Sequence, residues 1–546
     1  MPTSDARTIA EIEAAVRAND LPRAVDLARL ALSSGIVHPM LLNLRSYWLL
    51  RQGRDEEALA DLAHAVRIAP EDLLARNAYG ILLGKHLRWR EALAILEGSV
   101  RLAPNFALAQ FSLGWALEST GELTAAWQRY ERALVLDPAF VEPMARLANL
   151  AYRRADWPSA RGYAEKALRL RKNDYVALTV LASVAIAEGD LAQAERLLGQ
   201  LAVLDAPSEL DAALVETARG DLRHGQKRYA EAFEAYAAAN HRKFRLFARL
   251  HDQPGQTATD YVRWLSDSFG RAAADRSVAG LRSRPNDACD GAIGHAFLVG
   301  FPRSGTTLLE AILAAHPQIV TSEERDLLGD AAIALLSDDA GRERLAALGE
   351  MEIVAWRTRY WEEVHACGAV VQGKVFVDKY PLTMLKLPLV AKLFPEARIL
   401  FAVRDPRDVV LSCYRRSFSM NASMFEFLHL DRAARFYDAA MELAQQYRTR
   451  LGLAWRDVRH ESLVLDFEKE VRGICDFLGV EWTPQLASFA ERAKGRSIRT
   501  PSSTQVTKGL NSEGMGQWRN YIAQMALVSD VLEKWAELLG YPPGAP

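Results

Sequence analysis

Cysteine is scarce. The 546 residues hold four, Cys289, Cys367, Cys413 and Cys475, with no C-x-x-C pair among them. Such spacing argues against a disulfide frame or a zinc site and fits reduced, mostly buried thiols in a cytoplasmic protein. No run of eighteen apolar residues occurs, so no membrane span is expected. The stretch from Met1 to Arg17 carries Asp5, Glu11 and Glu13 and has no apolar centre, so no secretory leader is legible. Neither sign of charge dominates: 67 Lys and Arg stand against 69 Asp and Glu, a net of −2. That balance gives no support for broad nucleic-acid binding. No cluster of metal-ligating residues is visible either, so no metal is expected.

What is present is an ordinary globular composition, 50% hydrophobic and 25% charged, on a chain too long for one core. Its first half repeats. Ala24, Ala58, Ala92, Ala126, Ala160 and Ala194 follow one another at intervals of 34. Pro70, Pro104 and Pro138 keep the same interval, and Gly80, Gly114, Ala148 and Ala182 form a second column of small residues. This period, with small residues at close helix contacts and proline after the second helix, resembles the tetratricopeptide repeat. The resemblance implies an all-α solenoid, placed at residues 8–245, whose groove holds a protein or peptide. Arg76, Asn77, Tyr79 and Gln110 are first-helix candidates for lining that groove. Trp89, Trp115, Trp127, Tyr130 and Trp157 read as core. The units near Ile9 to Ser34 and Asp211 to Asn240 look imperfect, as terminal caps do.

The period stops near His241. Residues 246–290 read as a helical linker: R-K-F-R-L-F-A-R-L suggests one more helix and Asp260 to Arg271 another. A second domain is expected at 291–540. It opens on Ala296 to Val299, a short apolar run suited to a buried parallel strand. Gly300 to Thr307 follow as a tight turn, and Leu308 to Ala315 carry helical spacing. Strand, glycine turn and helix together aim backbone N–H groups and a helix dipole at an anion. Against the nucleotide-kinase pattern G-x-x-x-x-G-K-[ST], Gly300 and Gly305 are correctly separated, but Thr306 replaces the lysine. Arg303 brings the cation instead, with a fork suited to two phosphate oxygens. Phosphoryl transfer from ATP is thereby disfavoured.

Two further strand ends carry cations. Val375 to Lys379 read as a strand closing on Asp378-Lys379-Tyr380-Pro381. Arg398 to Val403 read as another, closing on Arg404-Asp405-Pro406-Arg407 before a helix through Ser412. Helices are expected at Asp326 to Leu336, Glu343 to Cys367 and Asp466 to Phe477. The domain is thus an α/β, P-loop-like fold with a parallel sheet.

P-R-S-G-T-T, followed by a helix and H-P-x-x-x-x-x-E-E, resembles the loop of sulfotransferases that use 3′-phosphoadenosine 5′-phosphosulfate (PAPS), most of all the tyrosylprotein branch. The resemblance implies that Pro302, Arg303, Ser304, Gly305, Thr306 and Thr307 cradle the 5′-phosphosulfate. It makes Glu324 the general base, with Glu323 beside it as like charge, and Lys379 the cation at the bridging oxygen. It assigns Arg404, Ser412 and Arg416 to the 3′-phosphate. The segment Arg499 to Lys508 resembles a loop that closes over the nucleotide, with Ser503 at the transferring group and Lys508 on a phosphate. Thr504 departs from the family aspartate. His460 stands where the family has tyrosine and reads as a core or capping histidine. A capping role for Ser322, ahead of Glu323 and Glu324, is the structural alternative to catalysis there.

The activity so implied is sulfuryl transfer from PAPS to a hydroxyl or phenol, with a protein or peptide tyrosine presented by the repeats as acceptor. Sulfation of a glycan or small molecule, or a repeat scaffold with a degenerate nucleotide domain, are the alternatives. The sequence leaves the oligomeric state open, a homodimer included.

Overall fold

The computed structural model describes residues 4–272, 290–322, 324–493 and 509–544. By contact density the chain forms two compact units. One comprises Met1–Leu150 and Pro158–Val180, the other Ala151–Trp157 and Leu181–Pro546.

The repeat ruler is exact in the helices. Pro39–Arg51, Leu73–Lys85, Ala107–Ser119, Val141–Arg153 and Tyr175–Glu188 begin 34 residues apart. Their partners Asp55–Ile68, Trp89–Leu102, Leu123–Leu136, Trp157–Leu170 and Leu191–Leu201 do the same. All six alanines of the 34-residue column are fully buried. The small-residue column is a packing requirement: a Cβ on Gly114 would lie 2.7 Å from a ring carbon of Tyr130. The expected groove residues divide. Asn77 and Gln110 are buried, so they do not line a groove. Gln110 donates to the Pro104 carbonyl at 2.8 Å, and Arg76, one period earlier, donates to the Pro70 carbonyl at 3.0 Å. Both close the loop between repeats.

One column escaped the sequence reading. The turn inside each repeat puts one residue in the left-handed region: Asn19, Gly53, Leu87, Gly121, Ala155 and Gly189, again 34 apart, and then Lys227. The left-handed residue lets the chain leave one helix and enter the next. At the last of these turns Lys227 N–H bonds the His224 carbonyl and Arg228 N–H bonds the Arg223 carbonyl, a Schellman pattern. Glycine fills only three of the seven positions, which hid the column.

The last repeat, Glu209–Gly225 with Tyr229–His251, is more regular than it looked. A Cβ on Gly220 would lie 2.4 Å from Tyr236, the same spacing of 16 that joins Gly114 to Tyr130. Its first helix has 17 residues where the regular ones have 13 or 14, and the later landmarks slip by one turn. The R-K-F-R-L-F-A-R-L stretch is no separate helix. It continues Tyr229–His251 without a break.

The second unit also holds a five-stranded, wholly parallel sheet in the order β2-β3-β1-β4-β5. The strands are β1 (Gly294–Gly300), β2 (Ile319–Thr321), β3 (Val375–Lys379), β4 (Arg398–Val403) and β5 (Ala454–Arg459). Period-two alternation separates the faces. Phe297, Val299, Phe376, Ile399 and Phe401 enter one core with helices Glu350–Ala366 and Leu430–Arg450. Ala296, Leu298, Val377, Leu400 and Ala402 enter another, against Thr306–Leu313 and Phe467–Leu478. Apolar burial on both faces is why these strands read as continuous hydrophobic runs. Tyr236 of the last repeat, and Val262 and Leu265 of helix Ala258–Ala272, join the first core.

The long helix expected at Glu343 to Cys367 is two, Asp339–Ala347 and Glu350–Ala366. Gly349 interrupts it and donates its N–H to Glu352 at 3.0 Å, opening the second helix. Strands β2 and β5 went unseen because one has three residues and the other, A-W-R-D-V-R, is a charged edge.

Left-handed backbone costs a side-chain-bearing residue about 1–2 kcal/mol, and glycine returns part of this as chain entropy. Lys227 is exposed with φ +61°. Lys227→Gly therefore raises stability by about 0.5–1 kcal/mol in urea unfolding. Gly114→Val, which drives a side chain into Tyr130, lowers it by about 1–3 kcal/mol or more. A destabilised Lys227→Gly or a neutral Gly114→Val contradicts this account.

Candidate active site

Arg303, Lys379 and Arg404 all stand at the carboxyl edge of the sheet, at or just after the ends of β1, β3 and β4. The chain steps from β1 outward on one side to β2 and β3, then crosses to β4 and β5 on the other. Such a reversal opens a crevice at the carboxyl ends of the strands. Register sets the depths: Leu298 of β1 pairs with Lys379 of β3, and Gly300 with Ala402 of β4. Gly300 has to be glycine, since a Cβ would fall 2.6 Å from the Ala402 carbonyl oxygen.

The loop after β1 is built from unusual backbone. Arg303 has φ +72° and Gly305 φ +101°, and helix Thr306–Leu313 starts directly after Gly305. Pro302, Arg303, Ser304, Thr306 and Thr307 are buried. The Cys413 thiol donates to the Pro302 carbonyl at 3.4 Å and pins the loop from behind. His460, the first residue of a short helix after β5, lies against Gly305: a Cβ there would sit 2.8 Å from its Nδ1. Burial first, then the charges of Arg404 and Arg303, push the His460 pKa down to about 3, so the ring is neutral.

The arginines converge. Arg303 Nε donates to Ser412 Oγ at 3.0 Å, and Arg404 Nη1 donates to the Arg303 carbonyl at 3.1 Å. Arg404 Nη2 donates to the Gly514 carbonyl, where the chain re-enters after the Arg499 to Lys508 segment. Asp408 fastens that re-entry by accepting from Gly516 N–H and Trp518 N–H. Arg404 is buried, its Nε has no hydrogen-bond partner, and no carboxylate lies within ion-pair distance of it among the described residues. Burial, then the charges of Arg416 and Arg404, push the Arg303 pKa down to about 9. Two buried guanidinium groups, with half-buried Arg416 near enough to lower the pKa of Arg303, concentrate positive charge of a kind that suits an anion of more than one charge.

A second cluster stands at β3. Lys379, fully buried, places its ammonium 2.8 Å from Glu310 and 2.9 Å from Glu324. Burial alone would lower its pKa, but the two carboxylates outweigh burial and hold it above the usual lysine value. Glu310 was missed because on helix Thr306–Leu313 it reads as an ordinary helical glutamate. Ser322 caps no helix among the described residues. Its hydroxyl donates to Asp378 Oδ1 at 3.1 Å and accepts from Lys379 N–H at 2.9 Å, tying the Glu324 segment to β3. Tyr360 donates to the other Asp378 oxygen at 2.9 Å. Burial pushes the Asp378 pKa up to about 7 against these hydrogen bonds.

Arg303, Arg404, Ser412 and Arg416 thus sit together, and Lys379 sits with Glu324. Glu323, Ser503, Thr504, Lys508 and Cys289 lie outside the described residues. Among the described residues no group of His, Cys, Asp or Glu is arranged to hold a metal ion, and no helix is long and apolar enough to cross a membrane.

Residues 296–484 match the model of the sulfotransferase family. The chain is 28% identical over 266 residues to protein-tyrosine sulfotransferase 2 of Gallus gallus, covering 46% of this chain and 70% of that protein. Among solved structures, the sulfotransferase domain of the Synechococcus PCC 7002 olefin synthase aligns at 20% identity with a TM-score of 0.28, over 47% of this chain and 98% of that one. The pilus biogenesis factor PilW aligns at 20% identity with a TM-score of 0.33, over 38% of this chain and 97% of that one. The sheet edge that gathers the arginines and the family match fall on the same residues: residues 296–484 match the sulfotransferase family, and the helix pairs that precede them resemble the tetratricopeptide repeat.

Proposed function

We propose that the chain transfers a sulfuryl group from PAPS to a hydroxyl or phenol, with a protein or peptide tyrosine as acceptor. The observation that carries this reading is the cluster of buried Arg303 and Arg404 with half-buried Arg416, which lies beside the glycine loop and a lysine–glutamate pair. A doubly phosphorylated nucleotide as occupant is supported by two observations: among the described residues the Arg404 Nε lacks a partner, and the loop backbone passes too close to β4 for a side chain at Gly300.

In this reading Pro302 to Thr307 and Arg303 hold the 5′ end, while Arg404, Ser412 and Arg416 hold the 3′-phosphate, with Ser503 and Lys508 contributing from the closing segment. When bound, PAPS supplies an activated sulfuryl group. Glu324 takes the acceptor's proton. Lys379 has two carboxylate partners, so releasing Glu324 to the acceptor leaves it charged against Glu310. A buried ammonium kept protonated in this way is available to stabilise charge on the leaving oxygen. Repeats of this architecture support presentation of a protein acceptor.

Two variants test the assignment. Arg404→Ala removes a buried cation from the pocket and lowers affinity for adenosine 3′,5′-bisphosphate by about 100-fold in calorimetry; unchanged affinity refutes the nucleotide site. Glu324→Gln lowers kcat with PAPS by about 10²–10⁴-fold and leaves bisphosphate affinity within about threefold; full turnover by this variant removes Glu324 as base. Sulfur-35 PAPS with a cell lysate tests the acceptor. Label is expected in protein, and label confined to carbohydrate replaces the protein acceptor by a glycan.

A further inference from the structure

The last repeat hairpin reaches into the nucleotide site. Helix Pro406–Arg415 follows β4, and three successive residues at its end are each gripped by the hairpin. Asn240 Nδ2 donates to the Tyr414 carbonyl at 2.9 Å, and Phe233 stacks on the Tyr414 ring with centroids 5.0 Å apart. Arg415 Nη2 donates to Tyr236 Oη at 3.3 Å, with its guanidinium 5.2 Å from that ring's centroid. Arg416 Nη1 lies 3.6 Å from Asp221 Oδ2. Asp221 is itself held, because the Tyr236 hydroxyl donates to its other oxygen at 2.8 Å. Tyr236 in turn packs directly over Gly220.

We infer that Asp221, a residue of the repeat arm, is a positioning residue for Arg416, so that the last hairpin sets the affinity for the phosphate this arginine meets. The inference rests on the nucleotide reading above. Arg416 follows the helix in extended backbone, and its long side chain is only partly buried, 33% exposed. Left alone, such a guanidinium would sample many rotamers and lose entropy on meeting an anion. A carboxylate anchored by a tyrosine removes that freedom beforehand. It also offsets part of the repulsion among Arg303, Arg404 and Arg416 before an anion arrives, and a guanidinium has enough donors to keep Asp221 and accept a phosphate. Asp221 lies outside the residues that match the sulfotransferase family, 296–484, so this contact belongs to the joined arrangement of this chain.

Adenosine 3′,5′-bisphosphate and adenosine 5′-monophosphate, titrated into the full chain by calorimetry, separate the possibilities. Asp221→Asn is expected to weaken the bisphosphate by about tenfold and to leave the monophosphate within about twofold, since only the 3′-phosphate needs Arg416. Asp221→Glu recovers most of the loss. Tyr236→Phe keeps the packing, removes one hydrogen bond from Asp221, and weakens the bisphosphate by about threefold, a check that stands if Asp221→Asn does not fold. Equal weakening of both ligands, or bisphosphate binding unchanged in Asp221→Asn and in Tyr236→Phe, overturns the inference while wild-type binding upholds the nucleotide site. A wild-type chain that binds neither ligand overturns both.

Discussion

A guanidinium taken out of water has to be repaid by acceptors, and among the described residues Arg404 finds two backbone carbonyls, those of Arg303 and Gly514, and no carboxylate. Removal of its hydration is the central constraint on this domain. The arrangement persists because the sheet imposes it. β1 and β4 are hydrogen-bonded neighbours, so the turn after one and the arginine after the other leave side by side. The sharp backbone of the loop turns the Arg303 carbonyl toward β4 at a local conformational cost. Helix Thr306–Leu313 starts directly after Gly305 and turns the positive end of its dipole to the same place.

The β3 cluster answers this charge with the opposite design. Lys379 is saturated by two carboxylates, and the Ser322–Asp378–Tyr360 chain holds the backbone beneath it. In the proposed reading the arginine side of the crevice receives the anion and the lysine–glutamate side handles the proton, with the single strand β1 between them, flanked by β3 and β4.

Much of this was legible in the chain. The 34-residue spacing shows in alanine and proline because close helix packing tolerates few residue types, and the strands β1, β3 and β4 show as apolar runs because both faces are covered. The cations were legible as strand-end residues. Their convergence was legible only through the family resemblance, because it depends on strand order, which local pattern does not encode. Glu310 and Asp378 stayed hidden for the same reason: each acquires its role from a partner 69 and 56 residues away, Lys379 and Ser322 respectively. The turn column escaped for another reason. Leu87, Ala155 and Lys227 adopt the backbone that glycine adopts in other repeats, and no rule of composition connects them.

The lengthened first helix of the last repeat has a consequence for how such a protein diversifies. Four residues advance an α-helix by about 6 Å and return it to nearly the same rotation, so an added turn extends the hairpin while preserving which side faces the arginines. A two-residue insertion would swing Asp221 to about the opposite side of the helix. The final hairpin is thus free to lengthen by whole turns and still keep its phase.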